Sequence, residues 1–545
     1  MWSPGWQWEC GTLTVQEPGA PAWGYYGRRT ELQNLVRVLR YGKYNTVSVV
    51  GGRGVGKTEL IRRACHAVRE LKPTIYIEFP VPESQDLASV EDARIDVCKS
   101  LTRQAVNAGL GDALAEAEQN QPGRLYFKQA FEDLLGAGAV MVLDEFQNSA
   151  LVRLMGCVTP VINNFRSLYG PDTSGKTILA GSHQQEMLRI LGDPRAPLYG
   201  RTDFDIRLYP LPAEAVLQMA SEQGWLSKPK RFLTAYTAFG GNPRLWRRMA
   251  EERNRNPLPE PPGGDDEAWQ TAFLQREITR IKSDPREQFD YQSLVTLNSG
   301  TRKVVELVAR HFRGVRMEEV RALFEKDEQD RHDLALSILE LHLHLIERTA
   351  RVKPYGPPKI RMRDLPARFQ LTVVPHRPIE DTAGKSDLSP AIAALQDAEA
   401  YALERLTGEW LRALPAHSNV AIGVNITGPD GGSVEIDAVA WPDSSNENPR
   451  IALCSCKRNP GKHRPGKTAA DFLRFAEYDL NQGIEFPEKP RWLMVSPEKP
   501  KEFSGFEAFG IRDMARSLGF EIRPWPAPAD SRPEHDFDDT PSPGF

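Results

Sequence analysis

Short apolar runs alternate with longer amphipathic stretches from Tyr25 to about Met249. Consecutive apolar residues bounded by turn formers signal strands, and apolar residues three and four apart signal helices. Their alternation predicts βα units on a mostly parallel sheet. Thr46–Val50 (TVSVV), Val140–Leu143 (VMVL) and Lys176–Ser182 (KTILAGS) read as its strands. The pattern then changes. Asn254–Asp266 is rich in Pro, Gly and charge and reads as a linker. From Trp269 to Phe369 the spacing is mainly helical, Pro375–Ser389 reads as a second linker, and from Ala391 to Trp525 a helix is followed by strands and helices. The expected units are an arm over residues 1–24, an α/β domain over 25–253, a linker and helical domain over 254–374, a second α/β domain over 385–525, and a disordered, acidic, Pro-rich tail over 526–545.

Length agrees with several units, because 545 residues exceed one ordinary core. With 40% apolar and 26% charged residues and a net charge of -4, the chain has the composition of a soluble globular protein. That balance excludes a globally basic nucleic-acid binder but leaves local basic surfaces open. No stretch has the length of a membrane span. Met1–Ala20 carries Trp2, Trp6 and Trp8 without a basic or apolar leader pattern, so no signal peptide is expected. None of the six cysteines has zinc-site spacing, and they are expected to be reduced core residues of a cytoplasmic protein.

The strongest chemical signal is Gly51-Gly52-Arg53-Gly54-Val55-Gly56-Lys57-Thr58, which fits G-x-x-x-x-G-K-[ST]. It follows the TVSVV run and precedes a helix with Leu60, Ile61, Ala64 and Val68 on one face. Glycines let backbone N–H groups curl toward phosphate oxygens, and the helix N-terminus adds to that field. Lys57 is expected to reach the β- and γ-phosphates of ATP, and the Thr58 hydroxyl to ligate Mg²⁺. VMVL ends in Asp144 and Glu145. Asp144 is expected to hold Mg²⁺, with a helix cap as its alternative role. Glu145 is expected to accept the proton of the attacking water. Ser182, or His183 beside it, is expected either to sense the γ-phosphate or to cap the next helix.

Together these elements resemble the archaeal-type ATPases of the STAND and AAA+ branch of P-loop ATPases, over about Tyr25 to Phe520. The resemblance implies an AAA+-like parallel sheet with a helical lid, then a winged-helix domain, then an α/β restriction-endonuclease-like domain. Tyr26-Gly27-Arg28-Arg29-Thr30-Glu31-Leu32 matches the family box, which places Arg28 near the adenine. Pro197-Leu198-Tyr199-Gly200-Arg201 matches the segment after the sensor strand, where Arg201 is either an arginine finger or a surface ion-pair residue. Gly240-Gly241-Asn242-Pro243-Arg244 matches the lid turn that couples nucleotide state to the next domain. An ordinary Asn-Pro turn starting a helix is the alternative for Asn242 and Pro243.

Helical patterns at Lys303–Phe312, Met317–Phe324 and Leu334–Leu345 look like a winged helix-turn-helix. Arg348–Arg368 carries seven basic residues and one acid, Asp364, and is read as a wing along DNA, as a solvated edge or as a contact with another domain. His342 and His344 are read as core or helix-surface residues, not metal ligands. Family members often end in a PD-(D/E)xK nuclease-like domain. Glu404 matches its helix acid, Asp437 its strand acid and Lys457 its lysine, while Ser455 stands where the second strand acid belongs. A hydroxyl is a far weaker Mg²⁺ ligand than a carboxylate, so a crippled nuclease site is expected. Alternation along Cys454-Ser455-Cys456-Lys457 aims Ser455 and Lys457 at that site and both cysteines at the core. Lys457, Arg458, Lys462, Arg464 and Lys467 then suit a retained nucleic-acid surface. Three functions follow: an ATP-driven switch, acting as a possible homo-oligomer, that handles DNA in defence or DNA maintenance; an ATP-regulated Mg²⁺-dependent nuclease; and an ATP-driven signalling scaffold.

Overall fold

A computed structural model describes residues 26–41, 45–84, 86–114, 123–169, 175–196, 198–258, 265–284, 299–311, 314–324, 332–333, 336–337, 339–340, 343, 345–348, 359–375, 379–380, 386–427, 433–442, 450–459, 468–473, 490–500 and 505–524. The expected N-terminal arm, the acidic tail, His342, His344, Pro197 and the basic residues 462, 464 and 467 lie outside them.

The first unit is a five-stranded, wholly parallel sheet. Its strands are β1 (Thr46–Gly51), β2 (Thr74–Glu78), β3 (Val140–Asp144), β4 (Lys176–Gly181) and β5 (Phe204–Leu208), in the order β2-β3-β4-β1-β5. β3 and β4 are buried throughout, as central parallel strands covered on both faces must be. Strand alternation divides their side chains between two cores. Val140 and Val142 face helices α1 (Arg29–Tyr41) and α2 (Lys57–Val68), where Leu35, Leu39, Leu60 and Ile61 pack. Met141 and Leu143 face α3 (Leu87–Asn107), α4 (Arg124–Gly136) and α5 (Met155–Tyr169). β4 separates the loop-bearing strand β1 from β3, which sets the end of β4 between Lys57 and the two acids.

Four helices follow: α7 (Ala213–Glu222), α8 (Pro229–Phe239), α9 (Pro243–Arg255) and α10 (Asp266–Ser283). Asn254 and Arg255, expected in a linker, extend α9. Trp246 anchors this bundle. It is fully buried, stacks on Phe232 at 5.6 Å, meets Trp225 and Phe239 edge-on, and donates its indole N–H to Gly240 O at 2.8 Å.

The middle unit places helices Ser299–Arg310 and Met317–Arg321 beside a three-stranded antiparallel sheet. Its strands β6 (Val315–Arg316), β7 (Ile346–Arg348) and β8 (Lys359–Met362) run in the order β6-β8-β7. A short antiparallel ribbon, β9 (Ile379–Glu380) and β10 (Ser386–Asp387), comes next, and the last unit packs the long helix Ser389–Ala413 on a sheet of β11 (His417–Thr427), β12 (Ser433–Pro442), β13 (Ala452–Cys456), β14 (Arg491–Ser496) and β15 (Glu507–Gly510), in that order. β11 to β13 pair antiparallel, and β13 to β15 pair parallel. Among the described residues no helix is long and apolar enough to cross a membrane.

The expected boundary between lid and C-terminal unit is not a boundary in the core. One continuous cluster runs from Phe232, Trp246 and Phe273 through Phe369 to Tyr401, Leu406, Trp410, Cys454 and Met514. Trp246→Ala removes the largest side chain at the lid end of this cluster and should destabilise the chain by ~3–5 kcal/mol. Chemical denaturation followed by tryptophan fluorescence measures it, and a loss below ~1 kcal/mol would contradict the packing.

Candidate nucleotide site

β1 enters the loop at Gly51, where a Cβ would stand 2.5 Å from Leu208 O of β5, so only glycine fits. Gly54 (φ +79°) and Gly56 (φ +98°) then take the left-handed backbone that turns the chain into α2. Gly56 is the N-cap of α2 and brings no side-chain cap, which leaves that helix end available to an anion. Lys57 is buried, and its ammonium donates to Gly51 O at 2.9 Å and Gly52 O at 3.0 Å. Burial lowers its pKa, while the nearby Glu145 and Asp144 carboxylates oppose that shift.

The two acids at the end of β3 have separate surroundings. Thr58 donates to Asp144 Oδ2 at 3.1 Å, so the loop hydroxyl and the strand carboxylate meet directly. Glu145 sits in left-handed backbone (φ 49°, ψ 41°), which is uncommon outside glycine and turns its carboxylate off the strand axis. Ser182, one residue beyond β4, fixes that carboxylate with its hydroxyl at 2.6 Å and its backbone N–H at 3.3 Å. Gln147 donates to the same oxygen. Burial pushes the Glu145 carboxyl up, but the Ser182 and Gln147 hydrogen bonds and the Lys57 charge outweigh it and hold the pKa below the ordinary value. His183, not Ser182, is the N-cap of the next helix, and its side chain forms no cap bond.

The turn Gly240–Arg244 rests on the loop. Asn242 donates to Arg53 O at 3.2 Å and caps α9 by accepting from Arg244 N at 3.1 Å; Arg244 N also reaches Gly54 O at 3.3 Å. Pro243 begins α9 and lies 3.9 Å from where a Gly56 Cβ would be. Arg28 is buried beneath the loop, donating to Val55 O at 3.4 Å and to Tyr209 O, with Glu31 as its ion partner at 3.1 Å. The Arg28 guanidinium thus ties the segment before α1 to the P-loop and to the end of β5. Arg201 is exposed, and its backbone N–H closes a turn onto Leu198 O at 3.1 Å.

Sequence reading passed over Tyr76 and Gln147, and named Arg244 only as the end of the lid turn. Tyr76 had a weak signal, a polar hydroxyl in the strand TIYIE, and its phenol donates to Asp144. Gln147 had none, because only the folded turn brings it to the site.

The C-terminal candidates have different partners. Lys457 lies 3.5 Å from Asp437, whose carboxylate also accepts from Cys456 N at 2.6 Å. Cys454 is fully buried on the face toward the long helix, Cys456 packs there too, and Ser455 is buried on the strand between them. Glu404 is not open to a metal: it is buried and paired with the equally buried Arg361 at 2.9 Å. No group of three His, Cys, Asp or Glu suited to a metal occurs among the described residues.

Of the readings of Arg348–Arg368, that pair favours contact with another domain for Arg361. Arg361 enters the C-terminal unit against Gly423, where a Cβ would come 2.1 Å from Nη1, and its guanidinium lies 4.9 Å from the Tyr401 ring centroid. Arg368 is also buried, 4.4 Å from the same ring. Arg458, expected on a nucleic-acid surface, instead pairs with buried Glu399. A guanidinium beside a buried carboxylate and an aromatic face is held more firmly than a solvated one, so these three arginines turn inward.

The sheet order, the loop and the two acids at the end of β3 define a P-loop ATPase domain. Residues 25–248 match the family model for an ATPase domain predominantly from Archaea. No curated protein matches the chain. Among solved structures, a Walker-type ATPase of Pyrococcus abyssi is similar at 17% identity and a TM-score of 0.43, over 64% of this chain and 96% of that one. The ORC2 protein of Aeropyrum pernix, solved in ADPNP and ADP complexes, is similar at 14% identity and a TM-score of 0.32, over 72% and 97%. Cdc6p from Pyrobaculum aerophilum gives 13% and 0.31, over 68% and 93%.

Gly241 presses on Leu211: a Cβ there would stand 2.1 Å from Leu211 O and 2.6 Å from Leu211 N. Gly241→Ala should therefore push the lid turn off the loop and weaken ATP binding by at least ~10-fold, with the sheet still folded. Isothermal titration with ATP measures the loss, and unchanged affinity would contradict the contact. Arg361→Ala breaks the buried ion pair with Glu404 and should destabilise the chain by ~3–5 kcal/mol, measured by denaturant unfolding.

Proposed function

We propose that the chain binds ATP with Mg²⁺ in the loop Gly51–Thr58 and hydrolyses it as a nucleotide-driven switch. One observation supports hydrolysis above all: Glu145 is turned off β3 in left-handed backbone and held at 2.6 Å by Ser182, beside the Lys57 ammonium. In the step, water oxygen forms a bond to the γ-phosphorus and the bond from that phosphorus to the bridging oxygen breaks. ADP leaves with the bonding electrons, and the water proton passes to Glu145. Its depressed pKa keeps this acceptor ionised at neutral pH. Lys57 neutralises the β- and γ-phosphate charge, and loop N–H groups orient the chain of phosphates. Ser182 positions Glu145 and stands where it can register the γ-phosphate. Thr58 and Asp144 offer hard oxygen donors in contact with each other, a set that fits Mg²⁺. That ion, when bound, offsets charge on the phosphates.

The switch reading is supported by what the lid touches. Asn242 and Arg244 contact the loop, and the same helical bundle shares its core with the long helix Ser389–Ala413. Ala213 N at the start of α7 donates to Glu409 at 3.0 Å, and Glu399 accepts from Thr234 of α8 at 2.6 Å and Gln270 of α10 at 2.9 Å. A shift of the lid on nucleotide binding therefore acts on the C-terminal unit through packed side chains. The Glu404–Arg361 pair supports a C-terminal unit that works without cutting. DNA as a partner, and with it a role in defence or DNA maintenance, rests on Arg351, Lys353, Lys462, Arg464 and Lys467, which lie outside the described residues. Arg201 is exposed beyond α6 (Gln184–Gly192), which supports an arginine-finger role, in trans if subunits assemble.

Glu145→Gln should retain ATP binding and lower turnover by ~10²–10⁴-fold, read by nucleotide titration and phosphate release. Lys57→Ala should lose ATP binding. Full turnover by the first variant, or parental affinity in the second, would remove the assignment. Mg²⁺-dependent plasmid cleavage lost in Lys457→Ala would replace the switch by a nuclease. Absence of both cleavage and salt-sensitive DNA binding would leave an ATP-driven scaffold.

A further inference from the structure

Asp144 has more hydrogen-bond donors than its motif supplies. Oδ1 accepts from Glu145 N at 2.9 Å, and Oδ2 accepts from the Thr58 hydroxyl at 3.1 Å and from the Tyr76 phenol. Tyr76 lies in β2, at the open edge of the parallel sheet, in register with Val142 two residues before Asp144. Its ring is half-buried against the core shared with α2, and the Arg62 guanidinium of α2 lies 5.7 Å from the ring centroid.

An edge strand leaves backbone groups for other partners. Here Gln104 of α3 supplies one. Its side-chain carbonyl accepts from Tyr76 N at 2.7 Å, and its amide donates to Tyr76 O. The base of the tyrosine is therefore pinned by α3, its ring by α2, and its hydroxyl by Asp144. Burial and the adjacent Asp144 charge raise the phenol pKa.

We propose that Tyr76 is a positioning residue for the cation half of the nucleotide site, fixing the Asp144 carboxylate beside the Thr58 hydroxyl so that these oxygens receive the divalent ion that accompanies ATP. The proposal rests on the ATP-binding reading above and assigns to β2 a role that the loop and β3 motifs do not contain. Fixing a carboxylate that serves a metal is the usual work of a hydrogen-bonding neighbour one step out from the ion, and loss of such a neighbour typically weakens metal affinity by ~10–100-fold. The Tyr76 phenol bonds to Asp144, while Lys57 holds Gly51 O and Gly52 O, so nucleotide binding without metal should not depend on the phenol.

The test compares full-length parent and Tyr76→Phe, which keeps the ring. ATP affinity is titrated in EDTA and again across a Mg²⁺ series, alongside nucleotide-free melting. The expected result is a metal-free ATP affinity within ~2-fold of parent, unchanged melting, and at least ~10-fold more Mg²⁺ needed to tighten ATP binding. Equal Mg²⁺ dependence in the two proteins would overturn the proposal. So would tighter Mg²⁺ coupling in the variant, which would make the phenol a competitor of the ion. Parallel loss of metal-free affinity and melting temperature would reduce Tyr76 to a structural residue and overturn it too. If the parent itself bound no ATP in EDTA or Mg²⁺, the ATP reading would fail, and that outcome is distinct from the others.

Discussion

Backbone-to-backbone contact between the lid turn and the sheet is the constraint on which the rest depends. Leu211 N donates to Gly241 O at 2.7 Å, and Arg244 N reaches Gly54 O at 3.3 Å. No side chain separates the strand that leaves the sheet, the turn that begins α9 and the loop that faces phosphate. A phosphate-induced adjustment at Gly54 is therefore felt by α9 without passing through a flexible side chain. Packed elements of this kind shift between discrete arrangements rather than deform continuously.

The long helix Ser389–Ala413 carries that constraint onward with buried charge. Glu399 faces α8, α10 and Arg458; Glu404 faces Arg361 of β8; Arg405 pairs with Glu347 of β7 and with Glu409, which in turn caps α7. Apolar contacts alone would allow the helix to slide in its groove. Buried ion pairs and hydrogen bonds fix its register, because each misplaced charge would be stranded out of water. Specificity of arrangement, more than net stability, is what these charges supply.

Much of this was legible in the residues. The TVSVV and VMVL runs announced β1 and β3, and the glycine spacing with Lys57 and Thr58 announced the loop between β1 and α2, because each rests on local chemistry that a sequence window contains. What escaped were contacts between distant segments. Tyr76 looked like any strand tyrosine until β2 took its place beside β3. Arg361 and Arg368 looked like a basic surface until Tyr401, 33 to 40 positions later, supplied an aromatic face, and Gly423 a gap. Charge counted along a chain does not say which way a guanidinium turns. The Ser455 position pointed to a weakened metal site, and Glu404 is held by an arginine that no motif includes.

The hydrophobic cluster shared by lid and C-terminal helix has a bearing on how the protein is put together. Phe232, Trp246 and Phe273 are covered on one side by residues that lie more than a hundred positions downstream. During synthesis the lid must wait, half-clothed, until the segment around Tyr401 and Trp410 has emerged. The nucleotide-binding end and the far end of the polypeptide are thus joined as halves of one folding event, and a ribosome that stalls between them leaves a sticky intermediate rather than a finished ATPase.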